Sequence, residues 1–374
     1  MKTLLGAAAL GAFAASAQAA DLENVRGGRI GFVLTTLHWA TYQTAGAKEC
    51  PNGFNDGPRE QFKILFPEGK RKYTLMETQI ARESEGWYPQ PDDDHGFAFY
   101  EPQTKIGLGL NLDGKVGPND FTTPDGEPGI DNQLYRALGC VRSYRDGQTA
   151  NDFFDNQEIQ KTPYNRSMFE ISGVDSLAND DSVDVTWYRG LDALMTDATG
   201  ENVVAGGSQR IDARFGKRFI QKMHGKIVDG VLITEPADIT FPWATFGLPA
   251  DELIRGMRMK LKITSTGALG LMGGYADIDM WYNQTMRSES THHQSYGALS
   301  PPSLYKAFLR LADGYPDAKT GKNTAISSAL RAGFTQVYIL RPDQNVAGEV
   351  EGTATQTAKA ADQTEIVPVR DAKR

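Results

Sequence analysis

Five carboxylates, Asp113, Asp120, Asp125, Glu127 and Asp131, fall within nineteen residues of one Gly/Pro-rich stretch spanning 109–132. Asn111, Asn119 and Asn132 add amide oxygens to it. Its glycines and prolines exclude a helix or a central strand, so the backbone has to bend repeatedly. Hard oxygen donors on a bent backbone are what a calcium ion requires, six to eight oxygens at roughly 2.3–2.6 Å. Asn111, Asp113, Asp120, Asp125 and Asp131 are therefore the candidate metal ligands, and calcium is the expected ion. A plainer reading stands beside it, in which these side chains only cap solvated turns.

Other polar clusters carry weaker chemistry. Asp92, Asp93, Asp94 and His95 are adequate ligand types, but consecutive side chains diverge and an exposed polar turn is the simpler account. His292 and His293 need a partner from elsewhere, since neither H-x-x-x-H nor H-E-x-x-H occurs. Gly273 and Gly274, in the run 270–275, would permit close backbone approach to a ligand or tight packing, and they lack the strand-to-helix phosphate fingerprint. No G-x-S-x-G nucleophile elbow or kinase signature is present. The pairs Trp187-Tyr188 and Trp281-Tyr282 could stack on sugars, although on a strand two neighbours face opposite ways.

On the twelve-residue calcium-loop pattern, Asn111 takes the third position, Asp113 the fifth, Gly114 the sixth and Asp120 the twelfth. Gly109 stands at the first, where an Asp is usual. Over these twelve residues the chain resembles the calcium loops of dockerins and EF-hands. The run from Pro124 to Glu127, with Asp131, loosely resembles thrombospondin calcium repeats. The resemblance implies an ion-binding loop and nothing about the rest of the chain.

The elements that must position these residues begin with a leader. Lys2, the apolar run Leu4–Ala15 and Ala17-Gln18-Ala19 read as a signal peptide over 1–19, too short an apolar run to span a bilayer. No later run approaches transmembrane length. The expectation is export to the periplasm or medium. Without the leader, 38 basic residues face 47 acidic ones, which argues against nucleic acid or an anionic membrane as the main partner. Cys50 and Cys140, in an oxidising compartment, are expected to form one disulfide around the acidic segment. Without CxxC or CxxCH, zinc ribbons, thioredoxin chemistry and c-type haem drop out.

Period-two alternation is clearest where Val183, Val185 and Trp187 interleave with Asp184, Thr186 and Tyr188. Met257, Met259, Leu261 and Ile263 likewise interleave with Arg258, Lys260 and Lys262, ahead of a turn at 265–268 and a hairpin. That basic row could meet an anionic partner or simply keep an outer face hydrated. Further strands are expected at 28–43, 62–66, 231–234, 238–241 and 335–340, and helices at 73–85, 130–144, 300–311 and 324–331. The fold class is mainly β with peripheral helices, a β-rich α+β chain built on an antiparallel β-sandwich-like domain. The layout is a loop-rich acidic N-terminal region over 20–148, the sandwich over 149–290, a helical extension over 291–342 and a loose tail over 343–374. Two functions remain open. One is an exported, calcium-stabilised β-rich binding or cell-surface protein of unknown ligand, carbohydrate being one class its aromatics suit. The other is a secreted or periplasmic hydrolase of a polysaccharide or ester, working through an Asp/Glu pair.

Overall fold

The computed structural model describes residues 22–55, 79–82, 86–89, 99–145, 150–245, 248–249, 251–282 and 301–342. The leader, the strand expected at 62–66, Asp92 to His95, His292, His293 and the tail from 343 lie outside them. Eight strands make the frame: β1 (Arg29–Trp39), β2 (Ser167–Ser172), β3 (Asp180–Arg189), β4 (Gln221–Val228), β5 (Val231–Thr234), β6 (Glu252–Ile263), β7 (Gly267–Asp277) and β8 (Asn323–Leu340). Each pairs antiparallel with the next along the chain. β8 then pairs antiparallel with β1, from Gly31 opposite Val337 to Trp39 opposite Leu330, and the sheet closes.

The expected sandwich is therefore corrected to a closed eight-stranded β-barrel. The closing strands lie outside 149–290, and local alternation reports which face of a strand is buried, not which strand it meets. Two helix expectations also fall. Residues 324–331 satisfy a helical apolar period, yet they run as β8 with β7 hydrogen-bonded along one side. Within 73–85, Gln79–Arg82 is a strand paired with Gly86–Pro89. The helix expected at 130–144 is shorter, with α1 at Gln133–Leu138 and a 3-10 turn at Arg142–Tyr144. Two more helices, α2 (Ala150–Lys161) and α3 (Pro301–Leu311), pack around the barrel.

An eight-stranded barrel has an interior just wide enough for side chains to fill. Here aromatic rings fill it: Phe169 lies 5.2 Å from Phe32, 4.9 Å from Phe334 and 5.5 Å from Trp187, centroid to centroid. The alternation of β6 is realised as read, with Met257, Met259, Leu261 and Ile263 all at most 3 % exposed. Lys260 and Lys262 stand on the exposed outer face, as do Asp184, His224 and Lys226 of neighbouring strands. Apolar inside and charged outside is the reverse of a membrane-spanning barrel. Among the described residues no helix is long and apolar enough to cross a membrane.

Where β1 stops, Trp39, Trp281 and Phe308 meet edge to face and close that end, with Leu304 and Phe308 of α3 buried. Part of the outer wall is also covered. Val33, Met168, Val337 and Ile339 form a second apolar cluster with Leu194 and Ile211, from the excursion between β3 and β4. In that excursion Gly207–Arg210 runs parallel to the end of β8. The expected disulfide is formed: Cys50 and Cys140 are bridged with their Cα atoms 5.7 Å apart.

Candidate functional site

The acidic segment lies against the outer wall of β6 and β7, where it meets the basic row. Lys260 Nζ is 3.4 Å from Glu127 Oε2, and an Arg258 guanidinium NH donates to the Asn111 carbonyl at 3.4 Å. Gly273 of β7 has no side chain, and Leu110 of the segment occupies the space beside it. The glycine pair therefore serves tight packing. A small hairpin, Phe121–Thr122 with Pro128–Ile130, stiffens the segment, and Phe121, Ile130 and Tyr135 form its own apolar cluster. Gly129, at φ 79°, turns the chain where a side chain would strike the Lys115 carbonyl.

Most of the segment's polar oxygens are engaged by its own backbone. Asn111 Oδ1 accepts from the Gly114 NH at 2.7 Å, Asp113 Oδ1 from Lys115 NH at 2.8 Å, and Asp120 Oδ2 from Gly117 NH at 2.5 Å. Asp125 is fully exposed, and a hydrogen bond from the Thr123 side chain holds its carboxyl below the usual range. Asn132 caps α1 through the Tyr135 NH. Among the described residues no three Asp, Glu, His or Cys side chains converge in a way that could hold a metal ion. Of the five residues proposed as ligands, Asp113, Asp120 and Asp131 line a common space; Asn111 and Asp125 sit in turns away from it.

That space is a polar cleft of about 410 Å³ between the acidic segment, the outward face of β7 and the end of α3. Tyr275, Asp131, Asp113 and Asp313 gather at one end. Asp131 is buried, its Oδ2 accepting from the backbone NH of Leu112 at 2.7 Å and of Asp113 at 3.3 Å. Burial still raises its carboxyl above the ordinary value, and the charges of Asp120 and Asp113 add to the shift. Asp313 is exposed on one side, while its oxygens accept from Ser327 NH at 2.7 Å and Ser327 Oγ at 2.5 Å. Crowding by the cleft walls pushes it up to about 6, with Asp131 contributing and the Ser327 bonds opposing. Tyr275 is raised too, first by burial and then by Asp131, Asp313 and Asp113.

The walls hold this end together. Ser327, fully buried in β8, receives the Gln133 NH from the start of α1 at 2.9 Å and passes its own hydroxyl to Asp313. Gly314 lies flat on the Tyr275 ring, where any Cβ would overlap it. Tyr315 meets Tyr275 edge to face at 5.5 Å and adopts φ 54°, a costly conformation for a non-glycine residue. The cations at the other end are engaged. Arg310 pairs with Glu101, Lys105 donates to the Pro118 carbonyl, and Arg136 donates to Gln133 and the Asn119 carbonyl while lying 4.2 Å over Phe121. The Tyr275 end is thus the negative one.

Asp313, Tyr275 and Ser327 escaped the sequence reading. The only signal was indirect: Tyr275 closes the Gly-Gly-Tyr run, and Asp313 precedes a glycine after a well-patterned helix. The aromatic pairs that could have stacked on sugars are packed away: Trp187, Trp281 and Tyr282 are at most 6 % exposed, and Tyr188 packs on the outer apolar cluster. Fold and cleft together define a filled, closed β-barrel with a polar cleft built on its outside. Comparison with family models, with curated proteins and with solved structures finds no match.

Proposed function

We propose that the protein is an exported binding protein that holds a small, amine-bearing ligand in the cleft beside Tyr275. The observation that carries this reading is the meeting of Asp131, Asp113 and Asp313 around one tyrosine at the negative end of a ligand-sized space. Two crowded carboxylates repel each other, and a cation placed between them relieves that repulsion. A tyrosine ring adds the aromatic face an ammonium group favours. Export is supported by the leader-like amino terminus and the disulfide.

The test is thermal unfolding and titration calorimetry against primary amines and against calcium, with Asp313→Asn as the control. Amines should raise the melting temperature of the wild type by mass action, about 2.7 kcal/mol at a hundredfold excess over Kd, and leave the variant unmoved. Stabilisation by calcium alone would replace the amine with the ion expected from the loop. Silence from both would remove the reading.

The hydrolase alternative keeps one specific support. Asp313, pushed up to about 6 beside a second carboxylate, has the profile of a general acid with an ionised neighbour. Turnover of aryl glycosides or aryl esters, falling as pH rises past about 6 and lost in Asp313→Asn, would favour it.

A further inference from the structure

While one outer wall of the barrel is covered by the excursion between β3 and β4, and the acidic segment reaches Lys260 of β6, the wall of β4 to β7 beyond that contact is largely exposed. The strand register aligns Val228, Val231, Lys262 and Leu269 in one row across four strands. The next row is Lys226, Ile233, Lys260 and Leu271. Both rows consist only of lysine and aliphatic side chains, on a chain whose net charge is −8. Leu269 is 67 % exposed, Val228 39 % and Ile233 36 %. Single exposed aliphatics are ordinary, but three on β4, β5 and β7, with the lysines of β6 between them, form a patch. Lys262 donates to the neutral Asp229 carbonyl at 2.7 Å, so that contact leaves its charge uncompensated.

We propose that this wall docks on an anionic lipid surface, with Leu269 and Ile233 entering the headgroup layer and Lys226 and Lys262 meeting phosphates. Charge complementarity sets the sign of the partner: cationic side chains gain where the surface potential is negative. Shape chooses lipid over protein. A barrel wall is convex, and a protein interface needs a complementary surface packed as densely as a core. Fluid headgroups rearrange around projecting aliphatic tips flanked by lysines, the combination that holds interfacial proteins on bilayers. Docking here leaves the cleft free, because Tyr275 and Asp313 lie further along β7 and beyond α3.

Sedimentation of the full chain with vesicles of equal parts phosphatidylglycerol and phosphatidylcholine tests this, with pure phosphatidylcholine as the neutral control. The protein should pellet with the anionic vesicles only, and less so as salt rises. Lys262→Glu and Leu269→Glu, both at exposed positions, should each lower the partition about tenfold with circular dichroism unchanged. Leu309→Glu, an exposed leucine on α3, should leave it intact. Failure to pellet, or pelleting unaffected by the two wall substitutions, overturns the proposal. So does retention on polyglutamate without vesicle binding, which would give the wall to an acidic protein instead.

Discussion

Strand β6 and the acidic segment touch, carry opposite charge, and answer to different rules. In β6 the meaning of a residue follows from its parity: Leu261 is buried because it is two from Met259, and Lys260 is outside because it is one away. In the segment, parity and spacing say little. Asp113, Asp120 and Asp125 are absorbed by turns within a few residues of themselves. Two carboxylates are left in tension: Asp131 by burial and by the charges of Asp120 and Asp113, and Asp313 by the cleft walls and by Asp131 across a long stretch of chain. The run of acids bonds within its own turns, and the raised pair needs the fold to assemble it.

The sharpest way to break this comparison is to violate parity. Leu261→Asp places an unpaired charge inside a filled barrel and should unfold it, a loss exceeding about 4 kcal/mol. Lys260→Asp, one residue away on the outer face, should leave a folded protein. Urea unfolding followed by near-UV circular dichroism separates them, and equal tolerance would show that the faces of β6 are assigned wrongly.

The next effect falls on the segment. Replacing Cys50 and Cys140 by Ser releases a loop of ninety residues, which the chain-entropy account values at ~4.6 kcal/mol and typical removals at about 2–5. The loss should be uneven. Amide exchange at Leu112 and Asp113, held by Asp131, should accelerate through local opening, while the amides of β6 exchange only with global unfolding. A uniform acceleration would mean that segment and barrel open as one unit.

How much was legible follows the same division. The strands at 231–234 and 257–263 could be read because one face of each is core and the other meets solvent, and 183–188 because Val183, Val185 and Trp187 are core, although Thr186 and Tyr188 opposite them are covered too. The disulfide could be read because two cysteines behind a leader-like amino terminus leave one pairing. Closure could not: it depends on β1 meeting β8, and nothing local in Gly31 announces Val337. Residues 324–331 misled for a related reason, since pairing with β7 overrides a helical period in Ala325, Ile326, Ala329 and Leu330. Asp313 was illegible because its chemistry comes from Ser327, Asp131 and the cleft walls, none adjacent in sequence.

A pH scan sharpens the distinction between spent and poised carboxylates. Asp313 is raised from 3.8 to about 6, so the folded state holds its proton more tightly than the unfolded state does. Stability from this group is therefore present at low pH and lost as pH climbs from about 4 through about 6. Lowered carboxyls such as Asp192 and Asp197 act in the opposite sense, so the difference between wild type and Asp313→Asn is the informative quantity. Relative to the variant, the wild type should lose stability across that window and then level off. Asp125→Asn should show no such step, its carboxyl being lowered and fully exposed. A flat difference curve for Asp313 would place it with the spent carboxylates.

The smallest effect is at the contact between the two regions. Lys260 and Glu127 are each about half exposed, and such pairs contribute about 0–1 kcal/mol. Their Coulomb gain is offset by solvation and by the entropy of two long side chains. Segment and wall also share the Leu110 packing on Gly273 and the Arg258 bond to the Asn111 carbonyl, neither of which depends on this pair. A double-mutant cycle with Lys260→Met and Glu127→Gln should therefore give a coupling under ~1 kcal/mol that fades as salt rises. Ser327→Ala, in contrast, removes the hydroxyl shared by Gln133 and Asp313 and should move the Asp313 titration further upward, because a hydrogen bond favouring the ionised form is gone. A coupling between Lys260 and Glu127 well above that bound, persisting in high salt, would mean that the basic row holds the segment in place. The cleft would then be assembled by charge across the wall instead of by the packing beneath it.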